Sequence, residues 1–208
     1  CLLWEVDKQI KVWKSVVLEV LPAVVMVDGM WVKIAYPTGD QCLDAQGRLR
    51  AVKHKEKRVV LSALGLWDDG HWEIVHWQIA TGENQAAWHH FLGELYQKGL
   101  TEETTQLVVS DGSAGLERAL DYHYYGVPHQ RCIFHKIKNI ADHLQYREGI
   151  TEAHEAASAP SRKAKQAYKK AILADAGQIY ATHVEVEIRA RAQAFQDQWA
   201  EREPQAVA

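Results

Sequence analysis

The chain has 208 residues, 47% of them hydrophobic and 25% charged, with a formal net charge of -3. That composition suits one sizeable core with an appendage, and it excludes a chain that is basic throughout, so any contact with nucleic acid must come from local patches. No uncharged apolar run is long enough for a membrane span, no signal-peptide pattern opens the chain, and three widely spaced cysteines (Cys1, Cys42 and Cys132) form no disulfide framework, which points to a reducing cytoplasm. A start at Cys1 rather than Met and an end in EREPQAVA point to a piece of a longer protein.

Residues 1–20 mix Trp4 and Trp13 with charges and have no assignable pattern. The run AVVMVDGMWVKIAY (23–36) is rich in β-branched and aromatic residues and predicts a central strand. PTGDQCLDAQGRLRAVKHKEKR (37–58) reads as a loop that becomes strongly basic. VVLSALGLW and WEIVHWQIA follow, separated by DDGH; Asp69-Gly70 between two apolar runs is a hairpin signal, so the first three strands form an antiparallel meander. GENQAAWHHFLGELYQKGL predicts a helix with Ala87, Phe91, Leu95 and Lys98 on one stripe and Gly99 as its stop. TQLVVSDG is a fourth strand, SAGLERALDYHY a helix with Ser113 at its N-cap, VPHQRCIF a fifth strand and HKIKNIADHLQYR a third helix. From about 151 the composition turns to Ala, Glu, Lys and Gln, and Ile188, Ala192, Phe195 and Trp199 mark a helical face. Three strands followed by alternating helices and strands make a mixed α/β sheet with helices on its faces. Most of the eight tryptophans, notably Trp72, Trp77 and Trp88, are assigned to the core.

Two carboxylates share a context. Asp28 and Asp111 each sit in or just past an apolar run and each precedes a glycine. An isolated carboxylate in a core costs several kcal/mol unless it is paired or binds a metal. Asp-Gly is also a common turn, which suits Asp111 better than Asp28, because the apolar pattern resumes at Trp31, Val32 and Ile34. If the first and fourth strands are neighbours, the two acids converge at one sheet edge and offer hard oxygen ligands to Mg2+. Two such ions clamp the attacking and leaving oxygens of a phosphoryl transfer.

PHQRCIFHKIKN places Cys132 three residues before His135 in a Cys-x-x-His pattern, with His129 upstream. Structural zinc needs four ligands, and only His143 and the remote Cys42 could add to the pair, so zinc is not expected. A buried cysteine at a strand end, with His135 hydrogen-bonded nearby, is the alternative. Two basic segments are candidates for DNA phosphate contacts: Arg48, Arg50 and Lys53, followed by Lys55, Lys57 and Arg58, and Arg131, Lys136 and Lys138, followed by Arg147.

VVMVDGMWVKI, GLWDDGHWEIVHWQIATGENQAAWHHFLGELYQKGL, VVSDGSAGLERAL and HQRCIFHKIKNIADHL together resemble mutator-type transposases of bacterial insertion sequences, over residues 24 to 147. The Ser-Asp-Gly helix start and the Gln-Arg-Cys-x-x-His-Lys-x-x-Asn run carry the resemblance best. It implies a ribonuclease H-like fold whose Asp, Asp and Glu hold two divalent ions, Mg2+ or Mn2+. Asp28 matches the first acid and Asp111 the second; Cys132 and His135 match the family's Cys-x-x-His signature, whose role stays open. The third acid follows a helical insertion in such proteins and is expected to lie outside this chain; Glu201 and Glu203 read as helix-surface charges. The implied organisation is a lead-in over 1–20, a ribonuclease H-like core over 21–150 and a helical insertion, cut short, over 151–208. The implied function is cleavage and strand transfer of element ends, with DNA and further copies of the chain as partners and no membrane. Inactivity of these 208 residues on their own follows from the missing Glu. The competing readings are a DNA-binding relic of a transposase, a ribonuclease H-like nuclease of another kind and a zinc-binding interaction module.

Overall fold

The protein is described here from a computed structural model covering residues 2–146 and 161–207; Cys1 and Arg147 lie outside the described residues. Two compact units divide the chain, residues 1–131 and residues 132–208.

The first unit is built on a five-stranded sheet. Strands β1 (Val24–Leu43), β2 (Leu49–Leu66) and β3 (Trp72–Ala80) are joined antiparallel, and β4 (Leu107–Ser110) and β5 (His129–Arg131) run parallel to β1, in the order β3-β2-β1-β4-β5. This meander followed by parallel strands is the expected ribonuclease H-like mixed sheet. The expected hairpin forms between β2 and β3, with Gly70 at φ +85 and the Trp67 amide bonded to the His71 carbonyl at 2.9 Å.

Side-chain alternation selects the core. Val25 and Val27 of β1, Val59, Leu61 and Ala63 of β2, Val75 of β3 and Val108 of β4 are buried. Against them pack α2 (Gln85–Gln97), through Trp88, Phe91, Leu92 and Leu95, and α3 (Ala114–His123), through Leu116, Ala119 and Leu120. Each such side chain contributes roughly 1.5–3 kcal/mol by leaving water, and Trp88 meets Phe91 edge-on at 5.7 Å. The residues between Val25, Val27 and Gly29 take the opposite pleat: Met26, Asp28 and Met30 are exposed.

The predicted stripe on α2 is observed, and its Lys98 has a structural use. Lys98 is only 3% exposed, and its Nζ donates to the carbonyls of Trp13 (3.1 Å) and Val16 (3.2 Å), at the end of α1 (Leu2–Ser15). That helix was not assignable from sequence. Gly99 then ends the local turn at φ +96.

Three expectations are corrected. Residues 37–58 are not a loop: they extend β1 and β2 into a long two-stranded ribbon, with a register shift between Pro37 and Gln41 and a turn at Asp44–Gly47. The fifth strand is three residues long, because the next helix, α4 (Ile133–Asp142), starts directly after Cys132. Trp72 is 64% exposed rather than core; it starts β3 opposite Leu66 at the sheet's end, while Trp88 is fully buried.

The second unit comprises α4, α5 (Arg162–Ile179), α6 (Glu185–Trp199) and α7 (Pro204–Val207). Its core joins Tyr168, Ile172 and Ala176 to Phe195 and Trp199, the last two on the predicted helical face. Trp199 Nε1 donates to Asp175 Oδ2 at 3.0 Å. Glu203 corrects another expectation: it is 0% exposed rather than a surface charge. Its two oxygens accept from the amides of Gln145 (2.6 Å) and Tyr146 (2.7 Å), and Tyr146 has φ 55. Glu201 is exposed, as expected. Among the described residues no helix is long and apolar enough to cross a membrane.

Candidate active site

Strand register sets the levels at which Asp28 and Asp111 lie. Val24 of β1 faces Leu107 of β4, Val25 faces Val108 and Met26 faces Val109, a constant offset of 83 residues (107 minus 24). Asp111 follows Asp28 by the same offset (111 minus 28), so carrying the register two residues beyond its last pair sets the two acids level. Parallel neighbours at one level point to one face, and adjacent strands lie about 4.8 Å apart. The alternation that buries Val25, Val27, Val108 and Ser110 puts both acids on the face away from α2 and α3. An acid inside an apolar strand is thereby accounted for: Asp28 occupies an exposed pleat position.

The backbone around each acid is specialised. Asp28 Oδ1 accepts from the Gly29 amide at 2.9 Å, and Ser62 Oγ donates to the Asp28 carbonyl across the β1–β2 pair at 3.3 Å. Gly29 allows a close approach from behind the strand: a Cβ there would lie 2.5 Å from Glu83 Oε1. Asp111 ends β4 and turns the chain into α3. Its Oδ1 accepts from the Ser113 amide at 2.9 Å, which braces the turn leading into the helix. Ser113 holds the N-cap position as predicted but makes no side-chain cap bond. Gly112 has φ +76 and donates its amide to Ser110 Oγ at 3.1 Å. Ser110, 1% exposed, bonds His129 Nε2 at 2.7 Å, which ties the Asp111 turn to β5.

Arg131 closes the rim. Its guanidinium pairs with Glu117 Oε1 at 2.6 Å, and its side chain runs so near Gly112 that a Cβ there would lie 2.5 Å from Nε. The Arg131 hydrogen bond holds the Glu117 carboxyl below the usual carboxylate range. We predict that Gly112→Ala costs about 1–2 kcal/mol, from the left-handed backbone alone, and displaces Arg131. Urea unfolding of the variant measures the first effect, and wild-type stability would contradict it.

Sequence reasoning found Asp28, Asp111 and Arg131 but not Glu83, Ser110 or Glu117, and it set His129 beside the Cys-x-x-His pattern rather than here. Gly29 inside a strand was the available signal for Glu83, since such a glycine marks close approach. The other three owe their place to β4–β5 register, which no local pattern announces.

The remaining predicted residues fall elsewhere. Cys132 and His135 stand at the N-cap and in the first turn of α4, in the second unit, with Lys136 and Lys138 exposed on the same helix. Among the described residues no three His, Cys, Asp or Glu side chains form a metal-binding group. Arg48 and Arg50 both ion-pair with Asp44 Oδ2 at the ribbon's tip, at 2.9 and 2.7 Å. Their hydrogen bonds, Arg50's first, hold the Asp44 carboxyl below its ordinary range. Lys53 is exposed on the ribbon.

The donor chemistry of Asp28 and Asp111 fits a hard divalent ion, which takes one or two carboxylates at such a site.

Comparison with known proteins adds four findings. A transposase of insertion sequence IS256 in transposon Tn4001 from Staphylococcus aureus is 36% identical over 94 residues, covering 43% of this chain and 24% of that protein. A transposase of ISRM5 from Rhizobium meliloti is 37% identical over 92 residues, covering 44% of this chain and 23% of that protein. The matches thus span about a quarter of those relatives' length. A solved Drosophila P element transposase strand transfer complex aligns at TM-score 0.37 and 13% identity, covering 90% of this chain and 52% of that one. The family model for the Mutator family of transposases matches residues 2–158, and the chain belongs to that family.

Proposed function

We propose that this domain is part of the catalytic core of a DNA transposase that cuts and joins insertion-sequence ends by metal-assisted phosphoryl transfer. The observation that supports the reading is the β1–β4 register, which, carried two residues past its last pair, levels Asp111 with the exposed Asp28. These two carboxylates would hold Mg2+ or Mn2+, and a Glu from elsewhere in the intact transposase would complete the set. Divalent ions held there supply Lewis-acid stabilisation to the attacking and leaving oxygens. The chain's own contribution is to fix its two acids: Ser110 and the Ser113 amide orient the Asp111 turn, and the Gly29 amide orients Asp28. The substrates in this reading are element ends and target DNA, and the working form is an assembly of several copies. The 208 residues without the third acid would not support strand transfer.

Calorimetric titration of the chain with Mn2+ tests the reading. The expected result is saturable binding that Asp28→Ala and Asp111→Ala each weaken at least tenfold, about 1.4 kcal/mol. Unchanged binding in both variants would refute the assigned ligands.

A further inference from the structure

The ribbon beyond the sheet sorts its basic residues in a way that composition does not show. Its arginines are already neutralised within the ribbon: Arg48 and Arg50 by Asp44, and Arg58 by Glu56 at 2.5 Å. Glu56 also accepts from Tyr36 Oη, and these two bonds, Tyr36's first, hold its carboxyl below the ordinary range. The lysines are treated differently. Lys33 stands directly opposite Lys57 in the register, with Ala35 opposite Lys55 and Pro37 opposite Lys53. Strand alternation therefore places Lys33, Lys53, Lys55 and Lys57 on one face of the ribbon, and Val32, Ile34 and Tyr36 with His54, Glu56 and Arg58 on the other. All four lysines are exposed, and among the described residues none has an ion pair. Glu56 is the sole acid between Leu49 and Arg58, and it belongs to the other face.

Like charges set opposite one another on a ribbon destabilise it. A row of lysines without intramolecular counter-charges, spaced two residues apart on a projecting element, is what a polyanion neutralises. We propose that this lysine face is a duplex-DNA backbone grip, and that Arg48 and Arg50 serve instead to fold the ribbon's tip. The inference rests on the DNA-transposase reading and adds a location to it. Lys33 lies five residues past Asp28, about 17 Å along an extended strand. Lys33 takes the opposite pleat from Asp28 in an unbroken register, so the grip lies on the other face of the strand from the carboxylate and holds duplex apart from the segment presented there, independently of sequence.

Fluorescence anisotropy of the 208-residue chain with a labelled duplex of arbitrary sequence, across a salt series from roughly 50 to 200 mM, decides the matter. Each phosphate contact contributes about 0.9 to the slope of log affinity against log salt. Joint replacement of Lys33, Lys53, Lys55 and Lys57 by Gln is expected to lower the slope by about 3–4 and to weaken binding at least tenfold. The paired control, Arg48→Gln with Arg50→Gln, is expected to leave the slope within about one unit. Because the lysines are exposed, the quadruple variant should melt no lower than wild type, and its Mn2+ titration should not change. An unchanged slope in the quadruple variant, with wild type binding DNA, overturns the lysine grip and leaves the DNA-transposase reading standing. Failure of wild type to bind duplex at low salt overturns both for this domain. Equally tight, lysine-dependent capture of poly-glutamate would assign the face to an acidic protein and overturn the DNA assignment.

Discussion

Asp28→Asn, introduced into an intact transposase built on this domain, is expected to reduce DNA cleavage by about 10^3-fold or more, some 4 kcal/mol of transition-state stabilisation. The substitution keeps shape and one carbonyl-type oxygen, so the 2.9 Å bond from the Gly29 amide survives. What disappears is the negative charge. Asp28 lies exposed on the face away from the core, so stability should stay within about 0.5 kcal/mol of wild type. Asp28→Glu restores the charge but moves the carboxylate outward by one methylene, and a displacement of about 1 Å can cost 10^2-fold. A supercoiled-plasmid cleavage assay ranks the three proteins: Asp first, Glu far below it, Asn lowest. Robust cleavage by Asn would remove Asp28 from the chemistry.

Glu203→Ala should be the most damaging single change in the helical unit. It strips the acceptor from two amides, Gln145 and Tyr146, and leaves a void where a fully buried carboxylate sat. Each orphaned donor costs about 1–3 kcal/mol, so a total of about 3 kcal/mol is expected. The left-handed backbone of Tyr146 adds to the effect, since those two bonds hold it in place. Glu203→Gln, with one acceptor oxygen remaining, should lose about half as much. Tyr168 reports on the same carboxylate: burial, helped by Glu203, pushes its hydroxyl up to about 12. Hydrogen exchange by mass spectrometry, read over α4 to α7, measures the loss. Wild-type protection in the Ala variant would show that the clasp contributes nothing.

What the sequence made legible follows the strength of its periodicities. The central strands and α2 were readable because burying one face imposes an alternation or a stripe, and Asp69-Gly70 named its own turn. Residues 37–58 were not, because a ribbon solvated on both sides carries no buried period, and Pro37, Gly39 and Asp40 look like loop chemistry where they in fact accompany a register shift. Of the candidate site, the acids stood out because carboxylates interrupting apolar runs are costly and therefore conspicuous. The residues that orient them did not. Ser110 and His129 are ordinary polar residues until β5 lies beside β4, and Glu203 resembles its exposed neighbour Glu201 until the helices pack.

The ribbon carries one more implication. Along residues 32–43 of β1 and 49–58 of β2, among the described residues, no third strand joins the ribbon, so both outer margins leave backbone amides and carbonyls ready to template another chain. The cationic row on one side and the kink at Pro37 are the devices that natural sheets use against such self-templating. Residues suited to holding a polyanion would thus also keep the protein dispersed. Raising ionic strength would weaken both at once, because screening acts on electrostatic attraction and electrostatic repulsion alike.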